Sequence, residues 1–224
     1  MMATLYVASL PLYIEKNNFS INTIKILCEC NHFIGESRKI VLEILSFIGD
    51  RNKPYSLLNE HTTYDEKKRI IDIIKTRNIS VLFSDIGTPC VADPGYDFID
   101  MCYKEDINIL SLPGPSTITT CLSLSGFYAE KFFFAGYPPI EKEKRKNFFI
   151  EINRTKETIV FIERPYSMKN LMKDLIIIQD KRISISYNLG NTNETTIRGK
   201  ISNIKDKLGK MPKAPFIVAI EGIK

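Results

Sequence analysis

The sequence has 224 residues, enough for one large domain or two small ones, and its hydrophobic fraction of 44% is ordinary for a globular protein. A formal net charge of +5 is mildly basic, which is compatible with a nucleic-acid substrate but does not require one. No apolar run is long enough to span a bilayer and the N-terminus lacks a signal-peptide pattern, so we expect a soluble cytoplasmic protein.

The five cysteines are an odd number in a chain of this size, so we expect reduced thiols in the core and no disulfide framework. Cys28 and Cys30 stand close to His32, but their spacing is not that of a zinc pair and no second cluster completes four ligands. The sequence therefore predicts no metal site.

Strands and helices alternate through the first half of the chain, which indicates βαβ units and a mostly parallel sheet. Strands are predicted at residues 4–8, 32–34, 55–59, 81–83 and 107–112. Helices are predicted between these strands. The first begins after an N-cap at Ser20, and the second buries a face made of Val41, Leu42, Ile44 and Leu45. The third follows a capping box formed by Thr63 and Glu66, and the fourth runs over about residues 94–104.

The segment after the fourth strand combines glycine, proline and acidic residues in a short loop. Asp85 follows the strand directly, and Asp93 with Pro94 predicts an N-cap and a proline at the first helical position. Ligands of open α/β sheets bind outside the carboxyl ends of the strands, so this loop is a candidate binding site. A tight connection without a ligand is the alternative, and a second glycine–proline cluster at 113–116 favours the site.

The second half mixes strands and helices less regularly. Strands are predicted at residues 131–135, 158–162, 182–189 and 216–220, with a hairpin arm at 194–198. Helices are predicted at about 117–124, ended by Gly126, at 141–153, around Leu171, and after a cap at Ser202. We therefore predict an α/β protein of two domains, residues 1–112 with a mostly parallel sheet and residues 113–224 with a mixed sheet.

The helix at 141–153 carries a run of basic residues, Lys142, Lys144, Arg145 and Lys146. Such a run is most often a helix face in contact with water. The functional alternative is a contact with the phosphate backbone of a nucleic acid.

Four motifs resemble, in order and spacing, those of the tetrapyrrole-methylase superfamily: SDIGTPCVADPGY, LPGPSTITTCLSLSGF, FFFAGYPP and IVFIERPYSMKNLMKDL. The likeness is greatest to its ribosomal RNA branch, the small-subunit ribose 2′-O-methyltransferase I proteins, which residues 59–61 also match. The resemblance implies two α/β domains, a homodimer, and S-adenosylmethionine bound in a cleft between the domains without a glycine-rich Rossmann fingerprint.

The resemblance also implies which residues bind the cofactor. From the first half these are Asp85, Gly87, Thr88, Pro89, Ser116 and Thr117. From the second half they are Ile162, Glu163, Asn188, Leu189, Ala214, Pro215 and Phe216.

Two segments depart from the family pattern. The first loop keeps only Pro11 of the usual TPIGN, and the EDTR segment is replaced by residues 35–38, GESR, which lacks one carboxylate. Both departures affect the presumed substrate side more than the cofactor side, so they leave the exact substrate open.

Methyl transfer to a hydroxyl needs a group that removes a proton. His61, Glu60 and Glu36 follow predicted strands and are the candidate bases, while Arg38 is suited to hold a phosphate. The alternatives are that His61 merely precedes a helix and that Glu36 and Arg38 form a local ion pair.

We therefore predict an S-adenosylmethionine-dependent methyltransferase that acts on a ribose hydroxyl of small-subunit (16S) ribosomal RNA. Two alternatives stay open. One is a methylase of a corrinoid or porphyrin, and the other is a non-catalytic module that binds the cofactor or RNA.

Overall fold

The computed structural model describes residues 3–13, 18–178, 181–211 and 213–222. The chain divides into two compact units, Met1–Ser116 and Thr117–Lys224. The sequence placed this division after residue 112, just ahead of the glycine–proline turn that the structure assigns to the first unit.

The first unit contains a sheet of five parallel strands in the order β3-β2-β4-β1-β5. The strands are β1 (Thr4–Ala8), β2 (His32–Gly35), β3 (Tyr55–Leu57), β4 (Ile79–Phe83) and β5 (Asn108–Leu112). Helices α1 (Ile21–Glu29), α2 (Arg38–Phe47), α3 (Tyr64–Lys75) and α4 (Tyr96–Lys104) connect them. Parallel neighbours need such crossover connections, so the observed alternation and the parallel sheet belong together.

Strand β4 shows how both faces of this sheet are buried. Val81 and Phe83 join one apolar cluster with Val41 of α2, whereas Leu82 between them joins a second cluster with Ile74 of α3. Successive side chains of a strand point to opposite faces, so a continuous apolar run is what a strand between two helical layers requires.

The apolar face of α2 is narrower than the sequence predicted. Val41, Ile44 and Leu45 are buried, but Leu42 is 38% exposed. Residues one apart on a helix are rotated by about 100°, so Leu42 lies to the side of the stripe that its neighbours form.

The predicted caps of two helices are confirmed. Ser20 accepts a hydrogen bond from the N–H of Thr23 at the start of α1, and Thr63 with Glu66 forms the complete capping box of α3. The predicted start of α4 at Asp93 and Pro94 is wrong. The helix begins at Tyr96, with Gly95 in the N-cap position at φ 121, a conformation that favours glycine.

The second unit has a mixed sheet in the order β6-β7-β10-β8-β9. Its strands are β6 (Phe132–Phe134), β7 (Thr158–Glu163), β8 (Arg182–Tyr187), β9 (Thr195–Lys200) and β10 (Phe216–Ile220). Strands β6 and β7 are parallel, and the other pairs are antiparallel. The predicted α/β fold, with one mostly parallel and one mixed sheet, is confirmed, and so is the hairpin of β8 with β9.

The helices of this unit are α5 (Thr117–Ser125), α6 (Lys142–Arg154), α7 (Met168–Asp174) and α8 (Ile201–Leu208), and a 3-10 turn at Leu175–Ile178 follows α7. Gly126 follows α5 at φ +60, as a helix-ending glycine often does. The predicted cap at Ser202 is wrong, because Ser202 lies inside α8 and Lys200 occupies the N-cap position. Within the described residues, no helix combines the length and apolarity needed to cross a membrane.

Candidate functional site

The loops that follow β2, β3, β4 and β5 lie at the carboxyl-terminal ends of the strands of the first sheet, because all five strands run in parallel. At these strand ends the main-chain N–H of Asp85 donates to Oε2 of Glu36 over 3.3 Å, and Oδ1 of Asp85 accepts the N–H of Ser37 over 3.2 Å. These reciprocal hydrogen bonds join the ends of β2 and β4, so two of the predicted site residues are in direct contact.

Glu36 and Asp85 belong to a larger group of carboxylates, which we call the acid cluster: Glu36, Glu60, Asp85 and Asp93. Burial raises the pKa of the half-buried Glu36, and the charges of Asp93, Asp85 and Glu60 raise this pKa further. Burial also raises the pKa of Asp93, with an added contribution from Asp85. Burial is thus the main cause of both raised pKa values, and the neighbouring carboxylates add to it.

Two observations limit what the acid cluster can bind. Among the described residues, no lysine or arginine forms an ion pair with Glu36, Asp85 or Asp93. Within the described part of the chain, no group of three or more His, Cys, Asp or Glu side chains is arranged to hold a metal ion. The charge of these carboxylates is therefore not neutralised by a lysine or arginine ion pair in the segments that the structure describes.

The loop after β4 is also tied to the loops after β1 and β5. Leu10 and Gly87 exchange two main-chain hydrogen bonds of 2.9 and 3.1 Å, and Gly87 adopts φ +67. The hydroxyl of Ser9 donates to Thr88 Oγ1 over 3.1 Å, and Thr88 donates to the carbonyl of Pro115 over 3.4 Å. The first loop departs from the family pattern in sequence, yet it packs directly on the predicted cofactor loop.

Gly114, in the loop after β5, permits a close approach to Ser9 in the loop after β1. A Cβ atom at this position would lie 2.9 Å from Cβ and 3.2 Å from the carbonyl oxygen of Ser9. The predicted site residues around this turn are accessible to different degrees: Gly87 and Pro89 are buried, and Asp85, Thr88, Ser116 and Thr117 are half-buried.

In the second unit, the predicted cofactor residues lie at one end of the mixed sheet. Strand β10 runs antiparallel to both neighbours, so its first residue, Phe216, is paired with Glu163 on one side and Tyr187 on the other. The N–H of Asn188, a residue at φ 48, donates to the carbonyl of Pro215 over 3.2 Å. Residues from the ends of β7 and β8 and the start of β10 are thus adjacent: Ile162, Glu163, Asn188, Leu189, Ala214, Pro215 and Phe216.

The carboxylate of Glu163 is bound by partners within the second unit. It is fully buried, forms an ion pair with Arg145, and accepts the N–H of Arg164 over 2.9 Å. Arg145 also binds Asp174 over 2.7 Å. The side chain of Glu163 is therefore engaged by partners in its own unit.

The same ion pair corrects the interpretation of the basic run in α6. The hypothesis that Arg145 contacts a nucleic-acid phosphate is wrong, because its side chain is only 11% exposed and paired with two carboxylates. Lys144 is exposed and paired with Glu141 over 2.7 Å, as on a helix face in contact with water.

The remaining candidates at the first sheet are more exposed. The side chains of His61 and Glu60 are 86% and 67% exposed, and His61 Nε2 lies 3.6 Å from Glu60 Oε1. Arg38 is the first residue of α2 and is exposed. The alternative of an ion pair between Arg38 and Glu36 is not observed in the described part of the chain.

Two residues of this region were not predicted as site residues. Asp93 was interpreted as a helix cap, yet it belongs to the acid cluster, and Ser9 contacts Thr88. For Asp93 the sequence did hold a signal, since it shares a short loop with Asp85. For Ser9 it held none, because 79 residues separate the two hydroxyls.

A family model described as Tetrapyrrole (Corrin/Porphyrin) Methylases matches residues 16–205. The chain is 30% identical to ribosomal RNA small subunit methyltransferase I of Thermotoga maritima, over 76% of this chain and 77% of that protein. It is 34% identical to the protein of the same name from Halalkalibacterium halodurans, over 73% of this chain but only 57% of that longer protein.

Solved structures with the same fold are less similar in sequence. Diphthine synthase superposes with a TM-score of 0.74 at 14% identity, over 97% of this chain and 89% of that one. Uroporphyrin-III-C-methyltransferase from Thermus thermophilus superposes with a TM-score of 0.65 at 13% identity, over 98% and 94%. At these identities the likeness establishes the fold.

Proposed function

Because the chain belongs to the tetrapyrrole methylase family, we propose that it transfers a methyl group from S-adenosylmethionine to a ribose 2′-hydroxyl of small-subunit ribosomal RNA. Membership confirms the resemblance drawn from the sequence and the enzyme class, a methyltransferase dependent on S-adenosylmethionine. The RNA substrate is supported by the names of the two relatives and by the net charge of +5. The choice of a hydroxyl rests on the acid cluster, which offers a base where a hydroxyl needs one.

The residues at the two sheet ends fit the cofactor chemically. S-adenosylmethionine, when bound, supplies an electrophilic methyl group on a positively charged sulfur, and its amino group adds a second positive charge. The acid cluster, which no described lysine or arginine neutralises, favours such a cation. We propose that Asp85, Gly87 and Thr88 of the first unit hold it, together with the backbone around Ile162 and Asn188 of the second unit.

Within the cluster we propose Glu36 as the general base. Its carboxylate is half-buried and its pKa is raised, which makes it a stronger proton acceptor than an exposed glutamate. Its Oε2 accepts the N–H of Asp85, and no described residue forms a hydrogen bond with Oε1, which we propose accepts the proton of the substrate hydroxyl. Arg38, exposed two residues further on, would bind a neighbouring phosphate, and Glu60 and His61 are the next candidates if Glu36 is not the base.

One assay tests the proposed function. The protein is incubated with methyl-labelled S-adenosylmethionine and undermethylated small ribosomal subunits, and the label is mapped to a nucleotide and to its ribose or base. Label on a ribose is the expected result. Turnover on a tetrapyrrole instead, or cofactor binding without transfer to either substrate, would replace this function with one of the two alternatives named from the sequence.

Cofactor binding is tested separately. Replacing Asp85 with Ala should weaken the affinity for S-adenosylmethionine measured by calorimetry, because it removes a carboxylate from the acid cluster. The control is Asp100→Ala, which removes an exposed carboxylate of α4 that pairs with Lys104. Equal affinities in the two variants would exclude Asp85 from the site.

We further propose that the chain acts as a homodimer and in the cytoplasm, where ribosomal subunits mature. Support for a dimer comes from β6, an edge strand of the second sheet whose Phe132 and Phe133 are 41% and 60% exposed. Tyr137 and Ile140, in the following loop, are 43% and 80% exposed. Exposed apolar side chains around a strand edge are typical of a surface that binds another protein chain.

A further inference from the structure

A groove of about 420 Å³ lies in the first unit beside the edge strand β3. It is lined by residues of β3, of the turn that follows, and of α3: Ser56, Leu57, Asn59, His61, Thr62, Glu66, Arg69, Ile70 and Ile73. None of these residues except His61 is used by the proposed function.

The residues that line the groove include apolar, aromatic, polar and charged side chains. Leu57, Ile70 and Ile73 supply apolar surface, which a planar base can cover. His61 adds an exposed aromatic ring that is able to stack on a base. Unpaired bases of RNA are bound in this way, on apolar and aromatic side chains with polar groups at the rim.

Arg69 provides a positive charge at the rim. Glu66, three residues before Arg69 on α3, is already engaged, since Glu66 Oε2 accepts both the N–H and the hydroxyl of Thr63 over 2.7 Å. Among the residues that the structure describes, no carboxylate forms an ion pair with Arg69. The planar guanidinium is thus available to bind a phosphate through two hydrogen bonds.

Asn59 provides hydrogen-bond donors at the same rim. Its Oδ1 accepts the N–H of His61 over 3.0 Å, which leaves the side-chain amino group to donate elsewhere. The turn also links the groove to the acid cluster, because Glu60 lies between the two lining residues and its charge raises the pKa of Glu36. A nucleotide in the groove would therefore be close to the proposed base.

We infer that this groove binds an unpaired nucleotide of the RNA substrate next to the one that is methylated, with the base on Leu57 and Ile73 and a phosphate on Arg69. The inference rests on the proposed function, since it assumes an RNA substrate. A peptide added to the edge of β3 fits the groove less well, because β3 has only three residues and offers few main-chain hydrogen bonds.

The test compares Arg69→Gln with Lys68→Gln, which removes the same charge from the preceding residue of α3. Lys68 does not line the groove, and its ammonium lies 4.8 Å from the ring centroid of Tyr64. Binding of a short fluorescein-labelled single-stranded RNA is measured by anisotropy over a range of salt concentrations. We expect Arg69→Gln to bind several-fold more weakly, with a salt slope smaller by about one, and Lys68→Gln to bind like the wild type.

A second variant, Ile73→Gln, tests the apolar surface without changing the charge. It should weaken RNA binding at every salt concentration and leave the salt slope unchanged. In the ribosome assay, both groove variants should raise KM for small subunits while kcat and the affinity for S-adenosylmethionine stay close to the wild type.

The outcomes separate the two proposals. If the wild type labels ribosomal RNA but Arg69→Gln and Ile73→Gln bind and react like Lys68→Gln, the groove assignment is wrong and the function stands. If the wild type neither binds RNA nor labels it, the proposed function fails and the groove assignment fails with it.

Discussion

At the scale of single residues, the acid cluster shows how burial converts ordinary carboxylates into chemically useful ones. Glu36 and Asp93 both have raised pKa values, and in both cases burial is the largest cause. Glu163 of the second unit is buried more completely but has an arginine partner, which compensates its charge. A buried carboxylate without such a partner is the kind of group that occurs at functional sites.

Replacing Glu36 with Gln should lower the rate of methyl transfer by roughly 10²–10⁴-fold, because the proposed base is lost. The wild-type rate should rise as pH increases through the raised pKa of Glu36, since only the ionised carboxylate accepts a proton, and this rise should be absent in the variant. Single-turnover rates on small subunits over a pH series measure both effects.

The matched control is Glu43→Gln, which neutralises an exposed glutamate of α2 that pairs with Lys39. An unchanged rate in Glu36→Gln would assign the proton transfer to Glu60, His61 or water.

The second single-residue prediction concerns His32, which is buried in the first unit and donates to or accepts from Ser56 over 2.9 Å through Nε2. Its Nδ1 has no partner among the described residues. Burial lowers the pKa of His32 from 6.5 to about 4, and Arg77 contributes to the shift. Between these values the unfolded chain binds a proton that the folded chain does not, so stability falls as pH decreases through this window.

The free energy of unfolding should therefore lose about 2 kcal/mol from His32 between roughly pH 7 and pH 5. Urea unfolding of His32→Asn should show a weaker dependence on pH over this range than the wild type. The control is the other histidine. His61→Asn, at an exposed position, should show the same dependence of the free energy of unfolding on pH as the wild type. Parallel pH curves for the wild type and His32→Asn would contradict the assignment.

At the scale of secondary structure elements, the caps decide where helices begin. The capping box of α3 satisfies the first N–H groups of the helix through Thr63 and Glu66. Ser202, by contrast, lies within α8 and makes no cap bond. Replacing Thr63 should therefore lower the free energy of unfolding more than replacing Ser202.

Thr63→Ala should lower the free energy of unfolding by about 1 kcal/mol, the usual value of an N-cap hydrogen bond. Ser202→Ala should change it by less than half as much, because alanine favours the helix interior. Urea unfolding of both variants tests the difference, and equal losses would show that the cap of α3 contributes nothing.

The close approach of two loops at Gly114 allows a prediction about the site. In Gly114→Ala the new methyl group would meet Ser9 at 2.9 Å, so the loop after β1 must move away from the loop after β5. We expect a several-fold weaker affinity for S-adenosylmethionine in calorimetry. Gly209→Ala is the control, since its nearest contact would be 3.6 Å. An unchanged affinity in Gly114→Ala would separate this turn from the cofactor site.

At the scale of the whole molecule, the proposed dimer depends on the exposed edge of β6. Phe133→Asp should shift the protein from dimer to monomer in sedimentation velocity, because it places a charge in an apolar contact. Tyr103→Asp, at an aromatic residue of α4 that is 62% exposed, should leave the dimer intact. A wild-type monomer, or a dimer in Phe133→Asp, would exclude β6 as the interface.

Much of the fold could be predicted because it depends on residues close together in the chain. The apolar run of β4, the capping box of α3, the cap at Ser20 and the final strand at Phe216–Ile220 are local patterns. Part of the candidate site could be predicted from the loops that follow predicted strands, and the cofactor residues could be predicted from the order of four motifs. Neither the contact of Glu36 with Asp85 nor the burial of Arg145 follows from any one of them.

By itself, the sequence determined the alternation of strands and helices, the α/β class and the family, because apolar period, turn residues and motif order are properties of neighbouring residues. Only the tertiary structure decided that Asp93 joins Glu36 in the acid cluster instead of capping α4, and that Glu163 is paired with Arg145. The physical reason is that these outcomes depend on partners far away in the chain, which strand order and helix packing bring together.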